Sequence, residues 1–114
     1  MIVTVFRARL HPDAGDEYLP LLERMVELSK SMPGYISQKR FTADDGERVT
    51  LVEFESRETQ EAWRRQAEHV AAQRKGRESF YSEYRVTVCE VLRDSRFPAE
   101  QREREPTSSA ETRP

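Results

Sequence analysis

The residues able to do chemistry in this sequence are few: two histidines, one cysteine and one tryptophan, beside a scatter of tyrosines, arginines and carboxylates. His69 carries an imidazole, a group suited to proton abstraction at neutral pH. Trp63, earlier in the same segment, offers an indole N–H that can only donate. Whether the two can act together is decided by the helix that carries them. On one unbroken helix His69 lies about 240° round from Trp63, so the rings face apart unless the helix breaks between them. His69 then reads as a solvated or surface-paired side chain, and Trp63 as a core anchor whose ring can also wall a pocket. Phe80, Tyr81 and Tyr84 form an aromatic cluster expected to pack between helix and sheet, with a hydroxyl able to reach a pocket. His11 beside Pro12 reads as a turn residue. Cys89 in mid-strand reads as a small buried hydrophobe, since no neighbouring motif would lower its thiol pKa. Neither histidine is spaced from Cys89 so as to gather three or four converging ligands, and no metal is expected.

Composition narrows the classes of partner. Lys plus Arg is 19 and Asp plus Glu is 21, a net charge of −2 with no block of one sign, which argues against the basic face that nucleic-acid binding needs. A single cysteine cannot form an internal disulfide and suits a reducing compartment. No signal-peptide pattern and no apolar run near the length of a membrane span is seen, so the cytoplasm is the expected location and no membrane partner is expected. The charged fraction of 35% nearly equals the hydrophobic fraction of 36%, yet the apolar residues cluster in short periodic blocks. These blocks predict one domain over residues 1–97. Residues 98–114 are rich in Glu, Arg, Ser, Thr and Pro, and are expected to form a disordered charged tail that cannot bury enough apolar surface to offset its ordering entropy.

Ile2 to Leu10 reads as a first strand that stops at His11-Pro12. Tyr18, Leu21, Leu22, Met25, Val26, Leu28 and Met32 recur at three- and four-residue spacing and predict a helix, with Asp13 or Asp16 able to cap it and Pro33-Gly34 ending it. Tyr35–Thr42 and Arg48–Glu55 read as strands joined by a hairpin at Asp45-Gly46. Ser56 is placed to cap a second helix through Trp63, with Gly76 ending or breaking it, and Arg85–Leu92 reads as the fourth strand. The order βαββαβ predicts an α+β, ferredoxin-like fold: a four-stranded antiparallel sheet with two helices on one face.

The second face of that sheet is too apolar to stand in water. Strand one sets Ile2, Phe6 and Leu10 on one side and Val3 and Val5 on the other; strand three sets Val52 and Phe54 against Val49 and Leu51. A half-solvated antiparallel sheet alternates more cleanly. With no third helix to spare, a second copy packing sheet to sheet is the simplest cover, so a homodimer is expected. Arg40 and Arg85 fall within strands, where each either reaches solvent, pairs with Glu53 or Glu90, or holds an anionic substrate.

Several local patterns resemble one family. Pro33-Gly34-Tyr35, the Asp45-Gly46-Glu47 hairpin, the run Leu51-Val52-Glu53-Phe54-Glu55-Ser56, Ala62-Trp63-Arg64, Glu68-His69, Gln73, Gly76-Arg77 and Phe80-Tyr81 are similar to the antibiotic-biosynthesis monooxygenase type of dimeric α/β-barrel protein, over about residues 1–97. The resemblance implies oxidation of an electron-rich quinol- or anthrone-like aromatic by O₂, with neither metal nor flavin as cofactor. It implies catalytic roles for Trp63 and His69 and a substrate pocket drawing on Thr59, Phe80, Tyr81, Tyr84 and Arg85. Thr59 stands where some members carry an amide. The haem-degrading relatives have an asparagine on the first strand, and this sequence has no asparagine, so haem breakdown is not expected. A non-catalytic dimer that binds a small ligand or serves a stress response is the alternative, because one fold hosts many functions.

Overall fold

β1 (Ile2–Leu10) opens the chain and becomes a central strand. It pairs antiparallel with β3 (Arg48–Phe54) on one side and with β4 (Tyr81–Glu90) on the other, and β2 (Tyr35–Thr42) completes the order β2-β3-β1-β4. The computed structural model describes residues 1–98, so the tail expected over residues 98–114 lies outside the described residues from residue 99 onward. Register sorts the side chains. Thr4 stands opposite Val52 and Val88, and Phe6 opposite Thr50 and Val86, so these residues share one face. Val52 and Phe54 on that face pack with Trp63, Met25 and Leu28, which fixes it as the face the helices cover.

α1 (Tyr18–Lys30) follows β1 and buries Tyr18 and Ser29. Its N-cap is Glu17 with no side-chain hydrogen bond, so neither Asp13 nor Asp16 caps it. Gly34 turns the chain out of α1 at a φ of +82°, a conformation costly to residues with a Cβ. A methyl there would also stand 2.5 Å from Thr59, so the glycine lets the start of α2 sit close against the turn.

The second helical segment departs from expectation. It is split into α2 (Arg57–Arg65), α3 (Ala67–Lys75) and a π-helical turn over Gly76–Phe80. Ser56 caps α2 as expected, and Thr59 completes a capping box: the Thr59 N–H donates to Ser56 Oγ and the Ser56 N–H to Thr59 Oγ1, each at 3.1 Å. Between α2 and α3, Gln66 adopts φ −59° and ψ 129°, an extended conformation no helix continues through. β4 begins at Tyr81, four residues before Arg85, because the π-helical turn ends there.

Among the described residues no helix covers the other face of the sheet, which carries Val3, Val5, Val49 and Leu51 and, toward the β2 edge, Phe41, 47% exposed. Cys89 pairs with Val3 on this face and is exposed in the single chain, a correction to its expected burial that follows from the missing cover. Arg85 does not pair with Glu53 or Glu90: Glu53 accepts from Ser37 and Glu90 from Arg57.

Candidate active site

The corner at Gln66 decides the site. Gln66 Oε1 accepts the His69 backbone N–H at 2.9 Å and so starts α3, as a side-chain cap does at any helix N-terminus. The turn folds His69 back onto the helix that precedes it. Its imidazole lies over the Trp63 indole with ring centroids 3.9 Å apart and planes within 11° of parallel. The expectation of a surface histidine facing away from Trp63 is thereby corrected, and the reason is the broken helix.

Protonation of the ring follows from its partner. Nδ1 of His69 lies 2.9 Å from the Trp63 carbonyl oxygen, which can only accept, so Nδ1 carries the hydrogen and Nε2 keeps its lone pair. Burial lowers the pKa of His69 below its ordinary value, with the Trp63 carbonyl opposing in part. The imidazole is therefore neutral at pH 7 and equipped to accept a proton at Nε2.

Trp63, 7% exposed, and His69 line a cavity of about 340 Å³ between the helices and the sheet, within the range of small-molecule sites. Thr4, Phe6 and Val52 form its floor, and Leu21, Leu22 and Met25 of α1 one wall. Phe80, Tyr81 and Tyr84 line it as well. Phe6 packs at 5.5 Å against both Tyr81 and Tyr84, and Tyr18 at 5.5 Å against Phe80. Gly76 allows this closeness, since a Cβ there would stand 2.6 Å from the Tyr81 ring. Burial, reinforced by the charge and hydrogen bonding of Tyr18, raises the Tyr81 pKa well above the usual phenol value, so its hydroxyl remains protonated. Tyr84 Oη accepts from Arg77 at 3.2 Å.

Two expected site residues stand elsewhere. Thr59 does not line the cavity, because its hydroxyl is engaged in the α2 cap. Arg85 lies opposite Arg7 on the face that no helix covers. In turn, Thr4 and Gln60 are among the lining residues that escaped the sequence reading. Thr4 Oγ1 is buried without a hydrogen-bond partner, and Gln60, 7% exposed, sits one turn before Trp63 on α2. The signal for Thr4 was present: it is the one polar residue in the row Ile2, Thr4, Phe6, Ala8. Among the described residues no cluster of His, Cys, Asp and Glu could hold a metal, and no helix is long and apolar enough to cross a membrane.

The antibiotic biosynthesis monooxygenase family model matches residues 1–75. The chain belongs to that family. It is 36% identical over 75 residues to the uncharacterized protein YqjZ of Bacillus subtilis (strain 168), a match covering 66% of either chain. Among solved structures it is similar to Rv0793 from Mycobacterium tuberculosis, with a TM-score of 0.73, 22% identity, and coverage of 83% of this chain and 98% of that one. It is also similar to SnoaB, a cofactor-independent oxygenase from Streptomyces nogalater, with a TM-score of 0.69, 13% identity, and coverage of 86% and 97%. At those identities the structural likeness carries the fold, and the family member's own site must be argued from its residues.

Proposed function

We propose that this family member is a cofactor-independent monooxygenase that oxidises an electron-rich quinol- or anthrone-like aromatic with O₂. The observation that carries this reading is the half-buried, neutral His69 fixed on the Trp63 carbonyl, with a free lone pair in a largely apolar cavity. His69 Nε2 takes a proton from the bound aromatic, and the resulting anion is electron-rich enough to reduce O₂ itself. The Tyr81 hydroxyl and the Trp63 indole N–H are the donors proposed to hold the anion's oxygen. For an anthrone the balance is complete without an outside reductant: one CH₂ group and one O₂ give one new carbonyl and one water.

The assembly is proposed to be a homodimer with the uncovered sheet faces packed together, which would bury Val3, Val5, Val49, Leu51 and Cys89. Light scattering at micromolar concentration is expected to give double the 13.4 kDa of one chain; a single-chain mass sinks the dimer. A cytoplasmic setting remains part of the proposal, resting on the single cysteine.

Oxygen uptake with the anthrone dithranol and with a panel of hydroquinones, corrected for spontaneous oxidation, tests the activity. His69→Leu is expected to lower the rate by a factor on the order of 10²–10⁴, the usual contribution of a general base, and Trp63→Phe to lower it as well. No uptake above background from any substrate, or rates untouched by both substitutions, overturns the reading. The second reading, a non-catalytic ligand-binding dimer, is favoured by one observation: Thr59 is spent on the helix cap and offers the cavity no donor. Tight binding of these aromatics with no oxygen consumed would select it.

A further inference from the structure

Between α1 and strands β2 and β3 runs an open groove of about 610 Å³. It is continuous with the cavity, since Tyr18, Leu22, Val26, Gln38 and Thr50 line both. The residues lining the groove alone include Lys30, Arg40 and Arg48, and none of its lining residues is acidic; Lys39 borders it too, but its ammonium lies over Phe41 on the uncovered face. This is a local excess in a chain whose net charge is −2. Several arginines elsewhere are paired, Arg7 with Glu47, Arg9 with Asp45, Arg24 with Glu68 and Arg57 with Glu90, while Arg77 and Arg85 stand apart from the groove without a carboxylate among the described residues. Lys30, Arg40 and Arg48 have no such carboxylate among the described residues.

Strand register places the two arginines together. Arg40 stands opposite Thr50, and Arg48 opposite Thr42, so on the helix-facing side they are diagonal neighbours roughly 7–8 Å apart. Arg48 lies 5.7 Å from the centroid of the Tyr18 ring, at the wall shared with the cavity. Its charge is felt at Tyr81, whose pKa it pulls against the rise that burial imposes. Both arginines are exposed, and two like charges on one side of the sheet with no carboxylate between them favour an anion there. The planar guanidinium fork fits a carboxylate better than any neutral group.

We propose that the groove is an anion subsite: the aromatic that enters the cavity bears a carboxylate, which Arg40 and Arg48 hold with Lys30 beside them. The inference deepens the oxygenase reading by naming the substrate class, an aromatic carboxylate. As a statement about binding it stands apart from whether oxygen is consumed.

Calorimetric titration of the intact protein with naphthoic acid and with naphthalenemethanol, the same rings carrying a neutral group, tests it. The acid is expected to bind on the order of tenfold more tightly, the increment of one charge-assisted contact. Arg40→Gln combined with Arg48→Gln should bring the acid down to the affinity of the alcohol and leave the alcohol unchanged, which also reports that the variant is folded. If that double variant does not fold, each single substitution should lose part of the preference. Arg85→Gln, an equal loss of charge on the uncovered face, should keep it. Equal affinities in the wild type, a preference that survives loss of both arginines, an equal loss in the Arg85 variant, or no binding of either ligand overturns the subsite. Since neither titration consumes O₂, an acid preference without uptake defeats only the oxygenase reading, while dithranol oxidation without acid preference defeats only the subsite.

Discussion

α1 and the α2–α3 pair cover the same face of one sheet by different means. α1 runs unbroken for 13 residues, and its Leu21, Leu22, Met25 and Leu28 give the continuous apolar stripe that such a run can offer. α2 and α3 have nine residues each and meet at a corner in Gln66. The straight helix supplies wall. The bent pair brings together two rings that a straight helix would hold on different sides, and it places a core tryptophan and a histidine side by side on one largely apolar cavity. The candidate site owes its arrangement to the backbone break more than to rare residue types.

The contrast can be broken at its strongest point by Trp63→Ala, which removes the indole from the core with Val52 and Phe54 and leaves His69 nothing to stack on. The expected loss is about 3–5 kcal/mol in denaturant unfolding, and Trp63→Phe should recover most of it. A loss under about 1 kcal/mol would mean that the stack contributes little beyond a surface contact. Gly34→Ala should come next, at about 1–3 kcal/mol, because it imposes both a left-handed backbone and a clash with Thr59 at the start of α2. Gln66→Ala should cost about 1 kcal/mol and leave the His69 amide unprotected in hydrogen exchange, while amides within α1 keep their protection.

A subtler probe uses pH. Burial lowers the pKa of His69 in the folded protein below the ordinary value, near 6.5, of the unfolded chain. Between those two values the unfolded chain binds the extra proton, so the contribution of His69 is fully present above about pH 6.5 and is lost as pH falls through this window. Melting temperatures taken stepwise for wild type and His69→Leu should diverge in that direction; a histidine contribution that grows with acid would contradict the burial. The smallest effect is expected from Arg24→Ala. Arg24 donates to Glu68 at 2.6 and 2.9 Å and ties α1 to α3. The pair is exposed, so only a slight drop in melting temperature is expected, absent at high salt.

The sheet and α1 were legible because their signals are local: β-branched runs, Asp45-Gly46 for the hairpin, and Pro33-Gly34 after the apolar stripe. The capping role of Ser56 was legible for the same reason. The corner was not. Arg65, Gln66, Ala67 and Glu68 include no proline or glycine, and nothing in their propensities ends a helix there. What holds the break is distributed: the Gln66 side chain caps α3, Arg24 reaches across to Glu68, and the His69 ring adds a second hydrogen bond to the Trp63 carbonyl, which already accepts from the Gln66 N–H. Trp63, Phe80, Tyr81 and Tyr84 could be named for the cavity from their types, whereas the placing of His69 required the corner and the orphan hydroxyl of Thr4 required the register.

The tryptophan that bears the imidazole is also the chain's sole indole fluorophore. Excited beyond the absorption of the four tyrosines, its emission is read alone, and the ring stacked on it is an imidazole that can take up a proton. Acid converts that neutral stack into a cation lying on the indole face, a contact of a different electronic kind. The protein thus contains an intrinsic optical gauge, in which the brightness of a single residue follows the proton on its neighbour without any attached dye.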